Sequence, residues 1–364
     1  MEIFLGPKIV VNIDNLCRNF SIIKRHVGLS KIFAVIKADA YGHGIIRIAK
    51  ELEKIGADGF CVANFNEIRL LIDAGIRSDI LYLGGLIDIP YAFHKYRNII
   101  YTISSYQDLL VLSSDEFTKR AHIKIDTGMN RLGLKDINDV LRILNDASKD
   151  KTINIEGIFS HFASSDDINS DYYKVQLSLF KKMKINITKN YGSKLIFHIA
   201  NSSAIFRDND THFNLVRPGL SLYGCKTNAI VNNKLKPVME FKSYIIHTKE
   251  VIKGESIGYN QKFFAKTDMK IGIVQVGYAD GILTDFMNIG EVVLRDKKIR
   301  ILGKISMDTI CIDLTNQKAE RGESISIWGD PVGLITLEYL SKKFKRIPYE
   351  LLTSISGRVD IEYV

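Results

Sequence analysis

Between residue 31 and about residue 217 the chain alternates short, nearly unbroken apolar runs with longer segments whose apolar residues recur every three or four positions. The runs at 31–37, 59–63, 79–84, 99–103, 121–126, 155–160, 195–200 and 213–217 read as strands buried on both faces, because a half-exposed strand would alternate apolar and polar residues. The stretches 44–54, 66–74, 137–147 and 171–187 carry the helical period, with Asp or Ser near several starts and Gly near several ends. Eight such alternations predict a closed parallel (β/α)8 TIM barrel in preference to an open sheet.

After about residue 230 the period becomes two. Segments 238–252, 271–276, 291–301 and 308–314, joined by Gly-containing turns, predict a mainly β domain with one helix at 334–345. The expected organisation is α/β: a barrel over residues 1–230 followed by a β domain over 231–364.

Length and charge narrow the function. A chain of 364 residues can bury two substantial cores. The net charge of +9 comes from lysines spread along the sequence, without the basic run that nucleic-acid binding calls for. The four cysteines stand far apart, with no CxxC pair and no His at metal-ligand spacing, so the reading is a reduced, cytoplasmic protein without a metal. No stretch approaches the roughly 18 consecutive apolar residues of a membrane span, and the first residues lack the pattern of a secretion signal.

The candidate chemistry lies where the predicted strands end. Residues 34–44 read AVIKADAYGHG, and Lys37 closes a buried strand where an aliphatic residue is the ordinary choice. The carboxyl ends of barrel strands form the active face. Lys37, Arg131, His161, Asn201, Ser202, Arg217 and Gly219 all fall there. Taken singly, His161 reads as a hydrogen-bonded structural histidine, Arg217 as an ion-pair partner and the glycines as turn formers. Jointly they suggest a desolvated amine able to attack a carbonyl, the Schiff-base chemistry of aldolases and of pyridoxal phosphate enzymes. Ser202 and the Arg217-Pro-Gly-Leu turn occupy the place where barrels bind phosphate.

These motifs resemble those of alanine racemases. AVIKADAYGHG matches the family's cofactor-lysine motif, and HIKIDTGMNRLG, IFSHFASSD, HIANSSA, VRPGLSLYG, VGYADG and KISMD follow in family order over essentially the whole chain. The resemblance implies a homodimer that binds pyridoxal 5'-phosphate and interconverts L- and D-alanine, supplying D-alanine for peptidoglycan. It assigns the cofactor's Schiff base to Lys37. Its phosphate goes to Tyr41, Ser202, Gly219 and Leu220 with Asn201 nearby, and its ring nitrogen to Arg217. Arg131, the Met307 backbone and Asp308 would surround the substrate carboxylate, and Lys124 matches a lysine that some members carry as a carbamate. Lys37 would serve one face of the substrate Cα. Tyr259 of the neighbouring subunit would serve the other, tuned through His161 and Arg217.

Two positions depart from the family. Thr284 stands where many members have an arginine after GYADG, and Gly357 where some have a phosphate-contacting tyrosine. A racemase of another or several amino acids, a related barrel decarboxylase, a Schiff-base aldolase and a non-catalytic pyridoxal phosphate carrier are the competing readings. The β domain that carries Tyr259 speaks against the last.

Overall fold

The computed structural model describes residues 6–113, 116–226, 234–287 and 289–364. Eight parallel strands, Lys31–Val35, Gly59–Val62, Asp79–Tyr82, Ile99–Ile103, Lys119–Lys124, Ile153–Phe159, Ile196–His198 and Leu215–Val216, pair in chain order. The last pairs with the first. Closure comes from the Asn214 and Arg217 amides, which donate to the carbonyls of Phe197 and Ala200. The expected TIM barrel is present, with every strand within a few residues of its predicted place.

The helical period locates Ile45–Lys54, Phe65–Asp73, Ile137–Lys149 and Tyr172–Tyr191. One unit lacks a helix: between Asp79–Tyr82 and Ile99–Ile103 the chain makes only the short 3-10 turn Tyr91–Phe93. Gly84, Gly85 and Pro90 in that stretch explain it, since glycine raises the cost of helix and proline removes a donor.

The second domain is a ring of six strands. Met239–Val251, Ser324–Trp328, Glu291–Leu294, Lys297–Leu302, Ile310–Asp313 and Met269–Val274 follow one another, and the last returns to the first. The segment expected as one strand at 291–301 is a hairpin that turns at Arg295 and Asp296, Arg295 being left-handed at φ 59°. The turn residues Arg295 and Asp296 carry no glycine to mark a hairpin, which hid it.

The boundary expected after residue 230 lies outside the described residues. At the other end the structure differs: Lys8–Val11, expected in the barrel domain, lies in the second sheet, antiparallel to Met239–Val251 and parallel to Asp360–Tyr363. The helix Ile13–Val27, capped by Asn12, then carries the chain to the barrel. Among the described residues no helix is long and apolar enough to cross a membrane.

Candidate active site

The first barrel strand ends in a left-handed turn. Ala38, Asp39, Ala40 and Tyr41 all have φ between 51° and 54° and ψ between 43° and 55°. L-residues pay roughly 1–2 kcal/mol each for this conformation, and none of the four is glycine. The left-handed turn begins at Ala38, so Lys37 stands between it and the end of the strand Lys31–Val35. Lys37 is half-buried, and its amine makes no hydrogen bond or ion pair among the described residues. Burial, then the neighbouring Arg131, lowers its pKa, which favours the neutral and nucleophilic amine.

Beside it lies a cradle of donors. Ser202 Oγ accepts from the Gly219 amide at 2.8 Å and the Ser221 amide at 3.2 Å, with Ser221 Oγ at 3.1 Å. The Leu220 amide between them makes no hydrogen bond to protein among the described residues, although Leu220 is fully buried. A buried open donor of this kind calls for an acceptor from outside the protein. Tyr41 is packed between Tyr223 and Tyr349, with ring centroids 5.3 Å away in both cases, and its hydroxyl closes over Gly219. A Cβ on Gly219 would lie 2.9 Å from that hydroxyl. Gly219→Ala should therefore displace Tyr41 and weaken anion binding about tenfold, the worth of one charge-assisted hydrogen bond, as read by phosphate titration of the purified protein. Asn201 is differently employed: its Oδ1 caps the helix Ser202–Arg207 by accepting from the Ala204 amide, and it also accepts from Ser165 Oγ.

Arg217 is buried in the barrel mouth. One Nη donates to the Ser160 carbonyl at 2.7 Å and, more weakly, to His161 Nδ1 at 3.5 Å, while the other donates to His198 Nδ1. Guanidinium has only donors, so His198 must accept through Nδ1 and carry its proton on Nε2. That proton then faces His122 Nδ1, 2.9 Å away. Burial first, then the charge of Arg217, holds His198 and His161 neutral, well below the usual histidine range. Burial also brings Arg217 down to about 10, still charged at neutral pH. His161, neutral and accepting at Nδ1, is left with an Nε2–H.

Lys124, 6% exposed, belongs to the same group. Burial, then Arg131 and Arg217, lowers its pKa to about 8. The folded state thus binds this proton less tightly than the unfolded chain, where lysine titrates near 10.4. Stability therefore rises with pH between about 8 and 10.4, and at neutral pH the charge is a liability. Lys124→Met should stabilise the apoprotein by about 1–2 kcal/mol at pH 7 and flatten that slope, as measured by thermal unfolding across pH. Arg131 is exposed, its guanidinium unpaired among the described residues, at the edge of an open cavity of about 600 Å³ that also touches Ser104, Asp108 and Asp126.

The structure brings Lys37, Tyr41, His161, Ser202, Arg217, Gly219 and Leu220 to one end of the barrel, with Arg131 at its rim. It does not bring Tyr259 there within one chain: that residue opens the short turn Tyr259–Gln261 of the second domain and is 67% exposed. Met307 and Asp308 lie on an exposed loop, where the Met307 carbonyl accepts from the Ala279 amide and Asp308 pairs with Arg358. Thr284 is exposed, and a Cβ on Gly357 would meet nothing within 4 Å. Sequence reasoning missed His198, Ser221, Tyr223 and Tyr349. His198 had a signal, because it sits in HIANSSA two positions before Ala200 on a strand whose alternate residues point inward.

Comparison with known proteins places this arrangement. The alanine racemase N-terminal domain model matches residues 11–227, and the C-terminal domain model matches residues 238–363. "Alanine racemase 2" of Caldanaerobacter subterraneus is 37% identical, over 98% of this chain and 94% of its own length. "Alanine racemase 1" of Clostridium acetobutylicum is 34% identical over 97% and 94%. Among solved structures, the alanine racemase of Streptomyces lavendulae superposes with a TM-score of 0.92 at 28% identity, covering 100% of this chain and 98% of that one. That of Bartonella henselae, solved with covalently bound pyridoxal phosphate, gives 0.86 at 27% identity and covers 99% of both.

Proposed function

The chain belongs to the alanine racemase family, and from that premise we propose that it interconverts L- and D-alanine by a two-base reaction with pyridoxal 5'-phosphate held at Lys37. The observation that carries this reading is the unpaired Lys37 amine at the barrel mouth beside a cradle with an open, buried Leu220 amide. The residues fit the group: an amine for its aldehyde, donors for its phosphate, a fixed cation for its ring nitrogen.

When bound, pyridoxal phosphate supplies a conjugated system that acidifies the Cα–H of an amino acid. Ser202, Gly219, Leu220 and Tyr41 hold its phosphate, with Asn201 fixing the start of the Ser202 helix. Arg217 stays protonated and can only donate, so it would hold the ring nitrogen as an acceptor. The chemistry supplied would then favour prompt return of the proton over other bond breaking. Arg131 would receive the substrate carboxylate, with the Met307 backbone and Asp308 lying around it.

Racemisation requires proton removal on one face of Cα and delivery on the other. The Lys37 amine, set free when the substrate amine takes its place, would work on one face. Tyr259 of the partner subunit works on the other, which makes the homodimer the active unit. A phenol titrates near pH 10, so it needs a donor that favours its ionised form. The His161 Nε2–H is such a donor, its tautomer set by Arg217. The exposure of Tyr259 in the single chain supports its use across an interface.

Supplied D-alanine would serve peptidoglycan synthesis in the cytoplasm. The test is D-alanine formation from L-alanine by the purified protein with pyridoxal phosphate, followed with a coupled D-amino-acid oxidase and repeated with serine. Rapid conversion of alanine is the expected result. Turnover of serine in preference to alanine would reassign the substrate. Pyridoxal phosphate uptake with no turnover of either would overturn the racemase assignment.

A further inference from the structure

We propose that Glu67 and His43 are positioning residues for the Lys37 amine: they hold the left-handed turn Ala38–Tyr41 from its two ends. The proposal rests on the assignment of the cofactor to Lys37. Residues 38–41 are Ala, Asp, Ala and Tyr, for which the left-handed region is unfavourable, so contacts outside the turn must impose it.

At the entry, the Ala38 amide donates to Glu67 Oε1 at 2.7 Å, and the other oxygen of the same carboxyl group accepts from the Ala63 amide at 2.7 Å. Glu67 lies in the first turn of the helix Phe65–Asp73, whose cap Asn64 accepts from the Glu67 amide. One buried side chain thus ties the turn to the end of the second barrel strand.

At the exit, His43 Nδ1 lies 2.9 Å from both the Ala40 and the Tyr41 carbonyls. Two acceptors on one nitrogen require Nδ1 to carry the proton, so Nε2 is a bare acceptor, and it has no partner among the described residues. The ring is fully buried and stacks on Tyr223 at 4.3 Å, and the Tyr223 hydroxyl donates to the Val35 carbonyl at the end of the first strand. The second domain presses on the same place. Tyr363 donates to the His43 carbonyl, and a Cβ on Gly42 would lie 2.7 Å from the Leu352 carbonyl.

Sealed from solvent and with its proton committed to two carbonyls, His43 is unsuited to moving protons, and Glu67 meets only backbone amides. What both control is the geometry of the turn, which carries Lys37 at one end and Tyr41, lid of the phosphate cradle, at the other.

The experiment measures the rate at which apoprotein forms its Schiff base with pyridoxal phosphate, read by visible absorbance, together with hydrogen exchange across residues 37–44. Both are compared with thermal stability and kcat. Glu67→Ala and His43→Phe should slow Schiff-base formation at least about tenfold, the loss of one or two well-made hydrogen bonds, and raise exchange in the turn. His43→Asn, whose amide N–H can replace the Nδ1–H, should recover most of the rate. A merely structural role would lower the melting temperature of His43→Asn and His43→Phe alike and leave the rate of the folded fraction unchanged. Folded Glu67→Ala and His43→Phe proteins that load as fast as wild type would overturn the proposal. Wild type that forms no Schiff base at Lys37 would instead remove the cofactor assignment on which it stands.

Discussion

Tyr259→Phe will slow racemisation about a thousandfold, the middle of the range for a positioned acid or base, while leaving cofactor uptake intact. The substitution removes one hydroxyl from an exposed side chain, so stability should not move. Its signature is asymmetry. Exchange of the Cα proton with solvent should persist for the enantiomer that Lys37 serves and vanish for the other, as followed by deuterium incorporation in each separately. Full activity in this variant would remove the two-base scheme.

Lys37→Ala should abolish turnover, with a loss of at least about ten-thousandfold, because the nucleophile and one of the two bases disappear together. The visible absorbance of the bound Schiff base should go with it. No ion pair is broken, so the variant should fold at least as well as wild type. Combining the two inactive proteins tests the shared site directly. In a randomly reassociated equal mixture half of the dimers are mixed, and in each mixed dimer one of two sites receives both an intact Lys37 and an intact Tyr259. About a quarter of wild-type activity should return. Mixtures that stay inactive after demonstrated subunit exchange would place Tyr259 outside the partner's site.

The eight barrel strands were legible because parallel strands covered on both faces read as continuous apolar runs, and their ends pointed to Lys37, Ser202 and Arg217. Four residues, KIVV at 8–11, were too few to distinguish from a leading segment, and nothing local says that they pair with the far end of the chain. The hairpin at 291–302 was hidden because an Arg-Asp turn carries no glycine signal. The left-handed turn was hidden for a similar reason: AYGHG announces a tight loop, yet the unusual backbone lies at Ala38, Asp39, Ala40 and Tyr41. Glu67 acts only once distant segments meet, so its sequence neighbours do not reveal it. Tyr259 was reached through motif order alone, and within one chain its geometry gives no reason to suspect it.

Lys8–Val11 reaches across the chain, Lys8 bonding Glu362, 354 positions away. A ribosome releases that strand long before its parallel partner. The second sheet cannot acquire this pair until Asp360–Tyr363 has been made, when every barrel strand is already outside the tunnel. Long-range pairings of this kind are slow to form and leave an edge open to other chains meanwhile. Between the release of the last barrel strand and that of Asp360–Tyr363 the nascent protein carries a barrel and an unfinished seam, and it is at the seam that newborn chains are open to mispairing with one another.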